Sequence, residues 1–130
     1  MIGLGVDMVQ ISQLRKQLED PASVFSEKTF TAGELRYAKE HSSGNPVQHL
    51  AARFAAKEAL IKAWSSMRIG RPPVIANSNL LEIEVCNDYF GRPQIKLRGA
   101  FHQHLQAFQV QISLSHEGDY AIATVLLEES

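Results

Sequence analysis

Twenty-one consecutive residues, Val47 to Met67, contain neither glycine nor proline. Six of them are alanine, the strongest helix former, and Leu50, Phe54, Ala55, Ile61 and Trp64 are available for burial. A helix of this length is on the order of 30 Å long, about the diameter of a small domain. The rest of the chain therefore has to pack around it. With 130 residues in all, the chain is expected to form a single domain spanning residues 1–130.

Around that helix the pattern is mixed. Ile2-Gly3-Leu4-Gly5-Val6-Asp7-Met8 alternates apolar side chains with glycine and then acid, a short strand whose glycines allow close backbone approach. Apolar residues at Ile11, Leu14 and Leu18 give a helical spacing over Val9–Leu18, which Asp20-Pro21 ends. Thr31 followed by Glu34 is a capping-box pattern for a helix to about His41. Ser42–Pro46 and Arg68–Asn79 carry loop chemistry. Leu81–Val85 and Gln94–Leu97 alternate as strands, Gly99–Phe108 suits a short helix, and Val110–Ser115 and Tyr120–Leu127 are strands joined across His116-Glu117-Gly118-Asp119. This order favours an α+β domain with an antiparallel sheet packed on the long central helix.

Composition narrows the function classes. With 45% hydrophobic and 21% charged residues, the chain is of globular rather than disordered or fibrous type. Thirteen basic against fourteen acidic residues leave no whole-chain electrostatic case for nucleic acid. No apolar run approaches the ~18 residues of a membrane span. The opening MIGLGVD has an acid in its apolar run and no basic leader, so it does not read as a signal peptide. Cys86, the single cysteine, has no internal partner and fits a reducing compartment. The expected setting is cytoplasmic, without a membrane or nucleic-acid partner.

The charge is unevenly spread. Residues 46–71 carry Arg53, Lys57, Lys62, Arg68 and Arg71 against Glu58 alone, a net +4, while residues 72–130 net −4. Such a segment suits a phosphorylated ligand, or is simply a solvated helix face. On a helix, Phe54, Glu58, Lys62 and Ser65 share a stripe, with Arg53 and Lys57 on the adjoining flank. Glu58 and Lys62 are either an ordinary ion pair at i,i+4 or part of a site. Aspartate is depleted in strands, so Asp7 at a strand end is either a local cap or, with Glu58, a pair of carboxylates for a hard cation such as Mg²⁺. His116 closes Ser113-x-Ser115-His116 at a strand end, either solvated or facing a phosphate. There is no G-x-S-x-G elbow, and Gly3-x-Gly5 lacks the third glycine of a dinucleotide fingerprint.

Gly5-Val6-Asp7, Phe30-Thr31-x-x-Glu34, Arg53-Phe54-Ala55-Ala56-Lys57-Glu58-Ala59-x-x-Lys62-Ala63, Gly91-x-Pro93 and Ser113-x-Ser115-His116 occur in that order. Together they resemble the holo-[acyl-carrier-protein] synthases of the 4′-phosphopantetheinyl transferase superfamily, over nearly the whole chain. The resemblance implies transfer of 4′-phosphopantetheine from coenzyme A to a serine of apo-acyl carrier protein, with release of adenosine 3′,5′-bisphosphate. It implies Asp7 and Glu58 as Mg²⁺ ligands and Lys62 as the group neutralising charge on the phosphates. It further implies Arg53, Lys57 and His116 as phosphate contacts, and the Gly91-x-Pro93 turn as a frame for the adenine end. A homotrimer with active sites between subunits is also implied. The nucleophile would belong to the carrier protein, consistent with the lack of a nucleophilic constellation here. Carrier proteins of this kind are acidic, and the first helix offers only Arg15 and Lys16 beside Glu19 and Asp20, so docking is expected to be weaker there or displaced towards Arg68 and Arg71. The alternative is a non-catalytic module that binds coenzyme A or a carrier protein.

Overall fold

The computed structural model describes residues 1–41, 45–75 and 78–130. In chain order the elements are β1 (Ile2–Gln10), α1 (Ile11–Glu19), α2 (Phe25–Thr29), α3 (Ala32–Glu40), α4 (Pro46–Ser66), a 3₁₀ turn (Leu80–Glu82), β2 (Ile83–Asn87), β3 (Pro93–Leu97), α5 (Gly99–Leu105), β4 (Phe108–Glu117) and β5 (Tyr120–Glu129). Strands β1, β5 and β4 form an antiparallel sheet in that order, and β2 pairs with β3 in a separate antiparallel hairpin. Helix α4 lies against one face of the three-stranded sheet, as the α+β expectation required.

Helix and sheet meet at unusually short range. A Cβ at Gly3 would stand 2.3 Å from the carbonyl oxygen of Ala63, and one at Gly5 would stand 2.0 Å from that of Ala59. Any side chain at these two positions would push β1 off the helix. The alanines of α4 are buried for the same reason and meet Ala121, Ala123, Val125 and Leu127 of β5. Leu50 and Ala55 are in the core as expected, but Phe54, Ile61 and Trp64 sit only partly buried at its margin. An interface this close admits small side chains at its centre and displaces large ones to its flanks.

The other parity of β1 faces away from α4. Ile2, Leu4, Val6 and Met8 are each 51–62% exposed. Beside them on β5, Ile122 is in register with Met8 and Tyr120 with Gln10, and both are exposed. A single chain thus leaves one apolar sheet face open.

Several boundaries differ from the sequence reading. Strand β1 continues through Gln10, held by pairing to Tyr120, so the helix expected from Val9 starts at Ile11. Its first turn takes no cap from Gln10. Instead Asp119, from the hairpin turn, accepts from the backbone N–H of Ser12 at 2.9 Å and from its hydroxyl. Helix α2 is too short to show a period, and Phe25 anchors it edge-on to Phe30 and Phe54. The strand expected at Leu81 begins at Ile83, because Leu80–Glu82 turn first under the Asn79 side chain. The capping box of Thr31 and Glu34 forms as expected. Of the two expected loops, Ser42–Gly44 and residues 76–77 lie outside the described residues.

Candidate active site

One edge of the sheet gathers the charges singled out in the sequence. Asp7 shares the inward parity of Gly5 and Val9, so its carboxylate meets α4 rather than solvent. The Lys62 ammonium donates to Asp7 Oδ1 at 2.9 Å and to the Val6 carbonyl at 3.2 Å. Glu58 stands one turn earlier on α4. Burial, and then the nearby charge of Asp7, hold the Glu58 carboxyl above its ordinary range, with Lys62 opposing. Asp7, Glu58 and Lys62 are therefore one electrostatic unit, as the spacing suggested.

Lys57 is not part of it. Its ammonium donates to Glu34 Oε1 at 2.7 Å, to the Thr29 carbonyl at 2.6 Å and to the Leu80 carbonyl at 2.9 Å. An ammonium has three hydrogens, and all three are taken inside a side chain with no exposure. The expectation that Lys57 contacts a phosphate is thus corrected: its flank of α4 faces α2, α3 and the 3₁₀ turn, not solvent. Glu34 completes the cluster by accepting from the backbone N–H groups of Thr31 and Val85. Burial pulls the Lys57 ammonium below the usual lysine range, and Glu34 opposes that shift.

The remaining expected residues meet at the other end of α4. Arg53, Gly91, Pro93 and His116 line a cleft of about 320 Å³, together with Ser113 and Ser115 of the same motif. The Arg53 guanidinium is 4.2 Å above the Tyr37 ring and donates to the Asn87 side chain. Its Nε is buried and has no hydrogen-bond partner among the described residues. Gly91 has φ +84°, a left-handed conformation favouring glycine, in the turn where Asp88 and Arg92 close the β2–β3 hairpin. The side-chain amide of Gln48 lies 2.8 Å from His116 Nδ1. Among the described residues no aspartate or glutamate lines the cleft.

Tyr37, Gln48, His49 and Asn87 also line it and were not singled out in the sequence. Gln48 and His49 precede Arg53 by about a turn, which was legible only after the face of Arg53 was known. Tyr37 and Asn87 arrive from separate elements, and no local pattern announces their docking.

Within one chain the two groups stay apart. Asp7 is in register with Ala123, and Ala123 with Leu114, so β1 and β4 stand about 10 Å apart across β5. Along α4, Glu58 lies nine residues beyond His49, a rise of about 13 Å. The structure joins Asp7 to Glu58 and Lys62, and Arg53 to His116, Gly91 and Pro93, without merging the two sets.

A sequence profile of the 4′-phosphopantetheinyl transferase superfamily matches residues 3–125. The chain belongs to that superfamily. It is 45% identical over 128 residues to holo-[acyl-carrier-protein] synthase of Mycobacterium tuberculosis, covering 98% of this chain and 97% of the relative. Among solved structures, the Chronobacterium ammoniagenes ACPS–CoA complex superposes with a TM-score of 0.91 at 40% identity, covering 100% of this chain and 98% of that one. The Bacillus anthracis synthase in complex with CoA (3′,5′-ADP) superposes at 0.74 with 31% identity, covering 98% and 96%.

For a transferase of this superfamily, the donor set of the first group is informative. Two carboxylates without a histidine or cysteine form a hard-oxygen site, the kind that takes Mg²⁺ with water and substrate phosphates completing the shell. Among the described residues no group of three or more potential ligands occurs, so protein atoms alone would not fill that shell. Burial first and the charge of Asp7 second raise the Glu58 carboxyl, and a cation held by the two carboxylates would offset both. These residues fit the ion.

Proposed function

We propose that this protein transfers the 4′-phosphopantetheine group of coenzyme A to a serine of an apo-acyl carrier protein, in a Mg²⁺-dependent reaction releasing adenosine 3′,5′-bisphosphate. The observation that carries the proposal is the convergence of Asp7, Glu58 and Lys62 at an accessible edge of α4. In the transfer, the serine oxygen forms a bond to the phosphorus bearing the pantetheine arm. The bond from that phosphorus to the bridging oxygen breaks, the nucleotide leaves with that oxygen, and the serine gives up its proton. Phosphoryl transfer asks a protein mainly for positioning and charge stabilisation.

Asp7 and Glu58 would hold the metal ion, which when bound polarises a phosphoryl oxygen and templates the substrate. Lys62, 56% exposed, is free to turn from Asp7 towards phosphate and offset the charge that builds on the leaving side. Arg53 and His116 offer donors to the anionic end of the nucleotide, and the Gly91–Pro93 turn lets the adenine ring lie close to backbone. The nucleophile is the partner's serine, so the chain needs none of its own.

Two observations support a homotrimer with its active sites between subunits. The metal-binding half and the nucleotide cleft lie on opposite edges of one chain's sheet, and the outer face of β1 leaves Ile2, Leu4, Val6 and Met8 uncovered. A heterologous contact that closes on itself would cover that face and set one copy's Asp7, Glu58 and Lys62 beside the next copy's cleft. A cytoplasmic setting suits the free Cys86, and none of the described helices is long and apolar enough to cross a membrane.

Intact-protein mass spectrometry of apo-acyl carrier protein, incubated with this chain, coenzyme A and Mg²⁺, tests the proposal. Gain of one phosphopantetheine, prevented by EDTA, is expected. An unmodified carrier in the presence of folded protein and Mg²⁺, across several unrelated carriers, would overturn it.

A further inference from the structure

The cleft at the start of α4 contains an ionisable group that the transfer described above does not use. His49 lies one turn before Arg53 on the same helix, and both line the cleft with His116. Hydrogen bonding fixes what each histidine can offer. His49 Nε2 is 3.2 Å from the His41 carbonyl oxygen. A carbonyl only accepts, so Nε2 keeps its hydrogen and Nδ1 is the nitrogen that gains or loses a proton. His116 is set the other way. An amide N–H only donates, so the 2.8 Å contact from Gln48 makes His116 Nδ1 the acceptor and leaves its hydrogen on Nε2. His116 is therefore a donor even when neutral, whereas Nδ1 of His49 becomes one only on protonation. Among the described residues nothing acidic lines the cleft, and Nε of Arg53, a residue only 2% exposed, has no hydrogen-bond partner. The cleft is built for an anion.

We propose that His49 binds the phosphate monoester of the coenzyme A substrate through Nδ1, and that binding draws a proton onto that atom. The inference rests on the reading that this cleft takes the nucleotide end. Coenzyme A carries two kinds of phosphate, and only the monoester concentrates two negative charges on one phosphorus. The groups facing His49 are Arg53 on α4, His116 on β4, His41 at the end of α3, and the Tyr37 ring, edge-on at 5.6 Å. Burial, with the charges of Arg53, His116 and His41, holds the free imidazole below its ordinary pKa against the opposing bond to the His41 carbonyl. A dianion among the same groups reverses that balance.

Calorimetry in Mg²⁺ at pH 7.5, in two buffers of different protonation enthalpy, reads the proton directly. Coenzyme A and dephospho-coenzyme A, which lacks the monoester, are compared on the wild-type protein and on His49→Gln. Glutamine keeps a donor for the His41 carbonyl but does not titrate. Coenzyme A should take up a measurable fraction of a proton on wild type and less on His49→Gln, since any uptake by the ligand's own monoester is common to both proteins. The substitution should weaken coenzyme A roughly 3–10-fold and leave dephospho-coenzyme A unchanged. Wild type alone gives a second reading: its preference for coenzyme A over dephospho-coenzyme A should fall as pH rises from 6.5 to 8. Equal proton uptake in both proteins, a pH-independent preference, or equal weakening of the two ligands would overturn the role of His49. Failure of either ligand to bind wild type would instead overturn the functional reading beneath it.

Discussion

Lys57 and Lys62 stand five residues apart on α4, each within 3 Å of a carboxylate, yet their surroundings are opposite. Lys57 and its partner Glu34 are both fully buried, 2.7 Å apart. Lys62 is 56% exposed and its partner Asp7 18%, at 2.9 Å. Taking two charges out of water costs several kcal/mol per ion, and only complete hydrogen bonding makes that tolerable. Lys57 meets the condition with three acceptors, so it is committed to the fold. An ion pair with one side in water is worth at most about 1 kcal/mol, so Lys62 can leave Asp7 for a phosphate at little cost. Exposure, not residue type or spacing, separates the cation committed to the fold from the one the proposed transfer would use.

The largest effect should come from breaking the buried pair. Lys57→Met leaves the Glu34 carboxylate without its cation and should cost about 3–5 kcal/mol, lowering Tm by on the order of 10–20 °C in a calorimetric melt. Replacing Glu34 by Gln in the same chain should recover part of that loss, because no bare charge remains. A melt within a degree or two of wild type would mean that water reaches the cluster.

Lys62→Ala should invert the pattern. Stability should change by less than about 1 kcal/mol, while kcat/KM for the carrier protein falls by roughly 10²–10³-fold. Denaturant unfolding and initial rates on the same samples separate the two. A stability loss matching that of Lys57→Met would erase the distinction between the pairs.

Glu58→Gln gives the smallest and most specific thermal signal. The folded-state pKa of Glu58 is raised, by burial first and then by Asp7. Its favourable contribution is therefore complete below the unfolded value near 4.5 and is lost as pH rises through the folded one. At pH 7 the charged carboxylate is a liability, so the glutamine variant should melt about 1–2 °C higher while losing transfer activity. Near pH 4, where wild type is mostly protonated, the two should converge. Mg²⁺ should raise the Tm of wild type and not of the variant. A lower Tm for the variant at pH 7 would mean that the pair with Lys62 outweighs burial.

How far the sequence carried the structure follows from the range of each interaction. The long helix and the Thr31–Glu34 capping box are local, and both formed where residue spacing set them, whereas the turn expected over His116–Asp119 tightens to Gly118–Asp119 because His116 and Glu117 stay in β4, paired with Ala121 and Tyr120. Asp7 with Glu58 and Lys62 was legible because glycine at positions 3 and 5 announced a strand laid close on a helix. Lys57 was misread because its partner lies 23 residues earlier and already had a visible job, capping α3. The cleft was half legible. His116, Gly91 and Pro93 belong to recognisable motifs, whereas Tyr37 and Asn87 reach it through the docking of α3 and of the β2–β3 hairpin. Helix α2 was invisible because five residues held by ring contacts carry no period.

The most direct test mixes two inactive proteins. Glu58→Gln should disable the proposed metal-binding half. His116→Asp places a carboxylate among the cations of the cleft and disables the nucleotide half. Denatured together, refolded at equal ratio and assayed for carrier-protein modification, they should regain about a quarter of wild-type activity, because that share of sites combines an intact half from each chain. Activity no higher than that of either variant alone, in a mixture shown to contain mixed oligomers, would contradict a site assembled from Asp7, Glu58 and Lys62 of one copy and the cleft of another.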